Sequence, residues 1–316
     1  MSTPGMSPDL SIVMPTLRRP ESLARAVRST FLQGDAGRLE LVVVDNSPEG
    51  SVRADAEALR AEAPFPLLYV HEPRPGVATA RNSGLAAASG ELIAFLDDDE
   101  EAPAGWLAAL LRVHRAHGAD VTFGAIRGRV PEGTGWAQSY LEGLFSRTGP
   151  AQSGPVDRHW GCGNALLTRA TTLVGPAPFD PAMDQIGGED DLLFTALADG
   201  GRRFAWAAEA WVWEHAPPHR ATLDYALKRA FAYGQGPSQT ASYRRDRLGV
   251  LKWMVVGAAQ TAVFGAAAGV LTALRRPERA AMLDRTARGL GKVLWMPRFE
   301  PRFYGAAEVA RTEAAV

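Results

Sequence analysis

The chain has 316 residues, 46% of them hydrophobic and 22% charged, with a formal net charge of −1. This suits one large α/β domain with an appendage, or two modest domains, and the near-zero charge excludes a dedicated nucleic-acid binder. The single cysteine, Cys162, excludes an internal disulfide framework and any zinc site built from several thiolates.

The opening Met1 to Pro8 is small and polar, and Leu10 to Met14 is too short for a signal core. The catalytic portion is therefore expected in the cytoplasm. Leu10–Met14 reads as a buried strand ending at Pro15. Pro20 and Glu21 then open a helix with Leu23, Ala26, Val27, Thr30 and Phe31 on one face. Leu39 to Val44 is a valine-rich buried strand running into Asp45 and Asn46, and a helix is predicted over about Val52–Glu62. Leu67–Val70 is a third strand. The turn at Arg74-Pro-Gly leads into a helix that Gly90 ends, and Glu91–Leu96 is a fourth strand running into acidic residues. Pro103 starts another helix, with Trp106, Leu107, Leu110 and Leu111 on its apolar face. This alternation predicts a mostly parallel sheet with helices on both faces.

The middle is less regular. Val121–Arg129 and Gly161–Leu167 read as strands, Gly133–Gly154 as a mobile segment, and Glu189 or Asp190 to Asp199 as a helix. Arg203–Trp206 and Trp211–Trp213 read as short extended pieces. Beyond Pro217-Pro218 the chain reads as helical, and the residues from about Arg311 as frayed. The predicted division is a catalytic domain over 1–220, with a nucleotide-binding half (1–117) and an acceptor half (118–220), followed by a helical region over 221–316.

Ligands of open parallel sheets sit outside the carboxyl ends of the strands. Thr16, Asp45 and the run Asp97-Asp98-Asp99 each follow an apolar strand at that end. Asp97 and Asp99, one residue apart on an extended segment, point the same way and can hold a hard cation that also binds phosphate oxygens. A solvated acidic loop would look the same in isolation, but packing Asp97 to Glu100 at a sheet rim is repulsive without a cation.

Four segments in order, Ser-Ile-Val-Met-Pro15-Thr16, Val-Val-Val-Asp45-Asn-Ser, Gly-Val-Ala-Thr-Ala-Arg81-Asn-Ser-Gly and Ile-Ala-Phe-Leu-Asp97-Asp98-Asp99, resemble the family 2 glycosyltransferases over roughly the first 110 residues. The resemblance implies a GT-A (Rossmann-like) fold and an inverting transfer of sugar from a nucleoside-diphosphate donor to a hydroxyl. It implies that Asp45 contacts the base, that Asp97 and Asp98 lie at the ribose, and that Asp97 with Asp99 holds Mn2+ or Mg2+. It also implies that Arg81, Pro15 and Thr16 support the nucleotide site. The family places a Glu-Asp pair, with Asp as general base, where this chain has Gly187-Gly-Glu189-Asp190-Asp191. The usual pattern is Glu-Asp-X-Asp, so Asp190 is the first choice and Asp191 the reserve. His215, after Trp213-Glu214, matches the position of a third metal ligand in some members, and Trp160-Gly-Cys-Gly-Asn164 resembles the segment lining the acceptor side.

From Trp253 to Leu274 no residue is charged; Arg244, Arg245, Arg247 and Lys252 precede the run and Arg275-Arg276 follow it. Membrane contact through 253–274, as a span or as an in-plane helix, would suit a glycan or lipid-linked acceptor in cell-surface synthesis and would place the enzyme on the cytoplasmic membrane. A buried helix or a hairpin broken near Gly265 is the alternative. Two other functions remain open. A nucleotidyltransferase would carry a glycine-rich basic loop after the first strand, which Pro15-Thr-Leu-Arg18-Arg19-Pro20 lacks. A catalytically inactive sugar-nucleotide-binding or membrane scaffold protein is kept in play by the irregular spacing at Glu189-Asp190-Asp191.

Overall fold

The computed structural model describes residues 8–185 and 187–301; the opening residues and the predicted frayed end lie outside them. β1 (Leu10–Thr16), α1 (Pro20–Thr30), β2 (Leu39–Asp45), α2 (Arg53–Glu62), β3 (Leu67–His71), α3 (Val77–Ala87) and β4 (Leu92–Phe95) follow in alternation. Then come β5 (Glu100–Glu101), α4 (Trp106–His117), β6 (Val121–Arg129), α5 (Gln138–Leu144), β7 (Gly154–Val156), β8 (Ala165–Thr168) and α6 (Arg169–Thr172). The last elements are α7 (Glu189–Asp199), β9 (Phe204–His215), α8 (Leu223–Tyr243), α9 (Arg247–Ala273) and α10 (Arg279–Val293).

The described strands form one nine-stranded sheet in the order β3-β2-β1-β4-β8-β6-β9-β5, with β7 beside β9. The first four are parallel, as the βα alternation predicts, and the sheet continues with antiparallel pairs from β4–β8 onward. Successive residues of a strand face opposite sides. Leu10, Ile12 and Met14 of β1 therefore join Leu23 and Val27 of α1 and Trp106, Leu107 and Leu110 of α4 in one core. Val13, between them, joins Val42, Val44, Ala78, Phe95 and Phe123 in the other. Gly84 lets α3 lie close on the sheet: a Cβ there would come within 2.6 Å of Val13 and 2.9 Å of Val44.

The described residues divide into two compact units. One comprises 8–127 and 147–214; the other comprises 128–146 and 215–301 and holds α5 and α8 to α10. Several elements differ from their sequence-based expectation. The segment read as mobile contains α5, whose Leu141 is buried, and an isolated bridge joins Arg147 to Ile126. The two extended pieces after Arg203 are one strand, β9. Its Ala-rich centre has little strand propensity of its own, but β9 lies between β6 and β5, with β7 pairing its first residues and β5 its last. Residues 161–164 form a turn before β8, with Asn164 at φ 51°. α4 begins at Trp106, after a turn that uses Pro103. No break occurs at Gly265.

Candidate active site

Strand register gathers the predicted residues at the ends of β1, β2 and β4. Thr16 pairs with Asp45 and Asp45 with His71 at the carboxyl ends of β1, β2 and β3, and Val13 pairs with Phe95, so Asp97 emerges at the same rim. Because β8 runs antiparallel to β4, with Phe95 opposite Ala165, the turn before β8 arrives at that rim as well. Gly161 and Gly163 touch the acidic residues directly. A Cβ on Gly163 would lie 2.8 Å from both Asp97 Oδ2 and Glu100 Oε1, and one on Gly161 would lie 2.9 Å from Asp190 Oδ2.

Asp97, Glu100, Glu189 and Asp190 therefore surround two arginines. Arg81, a buried residue of α3, donates to Glu189 and makes an ion pair with Asp97 Oδ1 at 3.5 Å. Its Nε is buried without a hydrogen-bond partner. Arg147 donates to the Gly163 carbonyl at 2.5 Å. Its charge is opposed by burial and supported by Glu100, Glu214, Asp97 and Asp190, and burial prevails, leaving its pKa below the usual arginine value. Glu100 is buried, and Oε2 accepts from the Asp97 backbone N–H at 2.9 Å. Burial pushes the carboxyl pKa of Asp97, Glu100 and Glu189 up. Neighbouring negative charge adds to that: Asp99 and Asp190 at Asp97, and Asp97 at Glu100.

Asp98 points into the protein. It accepts from Thr16 Oγ1 at 2.7 Å and from Arg19 at 3.0 Å, and the same Arg19 nitrogen reaches Asp99 at 3.1 Å. Asp45 is fully buried. One oxygen accepts from the Ser47 N–H and hydroxyl, the other from the Val52 N–H and, at 2.9 Å, from Tyr69. Burial and this bond push the Tyr69 phenol up to about 12. Pro15 lies in β1 opposite Val44.

At the start of α7 the two neighbouring aspartates part. Asp190 Oδ2 accepts from the Cys162 N–H at 2.9 Å, and Oδ1 from the Asp191 N–H at 2.8 Å. Asp191 is 78% exposed and lies 3.8 Å from His159. The structure thus brings Asp190 to Asp97 and leaves Asp191 outside. Cys162 is a buried packing residue whose thiol burial pushes well up, which keeps it protonated. His215 ends β9, one residue after the Glu214 that pairs with Glu100.

Arg19 and Arg147 were not singled out from sequence, and Glu100 was read only as the last carboxylate of the acidic run. Arg19 and Glu100 adjoin recognised motifs, whereas nothing in the spacing marks Arg147. Among the described residues no three His, Cys, Asp or Glu side chains form a closed metal cage. One or two carboxylates at a crowded acidic rim are nevertheless the donor set of a hard cation that completes its shell with phosphate oxygens and water. Asp97 and Asp99 fit that description.

The family model of glycosyl transferase family 2 matches residues 11–171. The succinoglycan biosynthesis protein ExoM of Rhizobium meliloti is 36% identical over 314 residues, covering 97% of this chain and 99% of that one. The pre-mycofactocin glycosyltransferase of Mycobacterium tuberculosis is 31% identical over 248 residues, 76% of this chain and 49% of that protein. Two solved structures share the fold. S. aureus TarS 1–349 in complex with UDP has a TM-score of 0.52 at 17% identity, covering 91% of this chain and 90% of its own. GalNAc-T7 with UDP, GalNAc and Mn2+ has a TM-score of 0.54 at 16% identity, covering 74% of this chain and 51% of its own. With a strand order that places Thr16, Asp45 and Asp97 on one rim, and with these relatives, the chain belongs to glycosyl transferase family 2 and is a glycosyltransferase.

Proposed function

We propose that the protein transfers one sugar, with inversion, from a nucleoside-diphosphate sugar to a hydroxyl of a glycan or lipid-linked acceptor in the synthesis of a cell-surface polysaccharide. The observation that carries the reading is the meeting of Asp97 and Asp190 at the Gly161–Gly163 turn, with Arg81 bridging Asp97 and Glu189 beneath them. Relatives support the substrate classes: ExoM is named for succinoglycan biosynthesis, and the GalNAc-T7 structure contains UDP with Mn2+.

Asp97 and Asp99 are the residues to hold Mn2+ or Mg2+, with His215 as the candidate third ligand. Such an ion, when bound, takes up negative charge developing on the departing diphosphate. Thr16 and Arg19 hold Asp98 and so fix the backbone of the acidic run. A contact between Asp45 and the base requires one of its present donors to yield, and Tyr69 is the most accessible of them. Asp190 accepts the acceptor hydroxyl's proton. Its two oxygens are each fixed by one backbone N–H, which orients the carboxylate and leaves acceptor capacity on both. The exposed apolar side of α9 supports membrane contact through 253–274 and a cytoplasmic-membrane location.

A thermal-shift screen of nucleoside diphosphates with Mn2+ or Mg2+, paired with a transfer assay on Asp190→Asn and Asp191→Asn, tests the reading. We expect metal-dependent stabilisation by one nucleotide class in all three proteins. Transfer should fall at least about 10²-fold in Asp190→Asn alone. Full activity in Asp190→Asn moves the base elsewhere, and the absence of any nucleotide shift removes the donor assignment.

A further inference from the structure

In the second unit, α9 is packed the opposite way from a helix of a water-soluble bundle. In α9 the side facing α10 is built from small residues. A Cβ added to Gly257 would meet the Gly289 carbonyl at 2.6 Å, and Thr261 and Gly289 touch where the two helices meet. Ala268 is the other buried position on that side. The large apolar side chains turn outward: Leu248, Leu251, Val255, Val263, Val270 and Leu274 are all between 58% and 80% exposed. On a helix these six fall on the side opposite Gly257, Thr261 and Ala268. The most apolar stretch of α9 has mean hydropathy 1.7 and is only 11% buried, so the buried-helix alternative does not describe it. At 1.5 Å per residue the outward side extends about 40 Å.

α10 decides how such a surface meets a membrane. Gln260, at the middle of α9, donates to the Arg285 carbonyl at 2.8 Å, and Lys292 Nζ lies 3.1 Å from Gln260 Oε1. The Arg285 guanidinium lies 5.0 Å from the Phe264 ring, and Arg288 pairs with Asp284 at 2.7 Å. An α9 that crossed a bilayer would carry these four charged side chains of α10 to the midplane, where each charge costs about 2.5–3.5 kcal/mol on insertion scales. A hairpin lying flat leaves them on the aqueous side and needs apolar burial on one side only. Cations close both ends of the apolar surface, at Arg244, Arg245, Arg247 and Lys252 and at Arg275 and Arg276. That pattern complements anionic headgroups.

We propose that α9, supported by α10, lies in the plane of an anionic membrane leaflet, with its leucine and valine side inserted and both ends on the same side. The inference rests on the membrane-contact part of the proposed function and adds the mode of contact. Its test is flotation of the full chain with vesicles of phosphatidylcholine alone or with phosphatidylglycerol, for wild type and for the double variant Val263→Asp, Val270→Asp. Single cysteines at Arg244→Cys and Glu278→Cys, exposed positions beyond the two ends of the charge-free run, are then probed in inverted and right-side-out membrane vesicles with a membrane-impermeant maleimide; buried Cys162 in the parent chain serves as the blank. Wild type should float with anionic vesicles, with binding weakened by salt, and the double variant should float at least about tenfold less with an unchanged circular dichroism melt. Both cysteines should label in inverted vesicles and neither in right-side-out ones. Labelling of one end from each side overturns the in-plane arrangement while leaving membrane contact standing. Failure to float with either vesicle, or a lipid-independent dimer that the double variant dissociates, overturns membrane contact itself.

Discussion

Gly163→Ala places one methyl group between the two carboxylates that the acidic run presents to the turn before β8. Gly163 is outside the left-handed region, so alanine meets no backbone penalty there and the effect is steric. The new carbon would lie 2.8 Å from Asp97 Oδ2 and from Glu100 Oε1, against ordinary contact distances that begin at 3.4 Å. Each oxygen must therefore retreat by roughly 0.6 Å, or the turn must. Glu100 cannot retreat easily: it is buried, and its second oxygen is tied to the Asp97 N–H. The displacement therefore falls on Asp97. A misplacement of about 1 Å at a reacting centre costs about 10²-fold in rate, so this one should cost roughly tenfold, with an overpacking penalty of about 1–3 kcal/mol. The assay is transfer rate against Mn2+ concentration, with a urea melt alongside. The expected result is a roughly tenfold lower transfer rate, with a raised half-saturating metal concentration, at a modestly lowered midpoint. An alanine variant with wild-type metal dependence and unchanged stability would show that Asp97 and the turn are not in contact and would remove the basis for assigning the metal to this rim.

His114 lies buried between Thr122 and Thr168, and burial lowers its pKa to about 4. Below the unfolded value near 6.5 the unfolded chain takes up a proton that the native chain refuses, so stability is lost as pH falls from about 6.5 toward 4. Urea melts should show about 2 kcal/mol lost through this group between pH 7.5 and pH 5. His114→Gln should remove that part of the slope, and an identical slope in the variant refutes the assignment. Arg81→Lys replaces a fork that serves Glu189 and Asp97 together with a point charge that can serve one of them. It should lower stability by about 2 kcal/mol and weaken metal-dependent nucleotide binding, and retention of both by the variant excludes Arg81 as the bridge.

The first four strands and their helices were legible because apolar runs of strand length alternate with segments of helical periodicity, and the polar residues ending each run mark the rim. Strand ends also told which carboxylates meet there, since parallel register carries Thr16, Asp45 and Asp97 to one edge. β9 was harder to read. Its central alanines carry no strand signature, and only pairing with distant neighbours makes it continuous. α5 was missed because few large apolar residues mark its buried side.

Sequence by itself determined the family, the order of the acidic motifs and the presence of a charge-free apolar stretch between basic ends. The tertiary structure decided what one residue of difference does. A step along a helix turns a side chain by about 100°, so Asp190 reaches Cys162 while Asp191 faces His159. Chain distance also hides contact: Arg147 meets the acidic rim only because an antiparallel strand folds its neighbours back onto β4. In α9 the composition showed an apolar helix, but which side packs depends on where α10 approaches, and α10 approaches where glycines allow backbone to meet backbone.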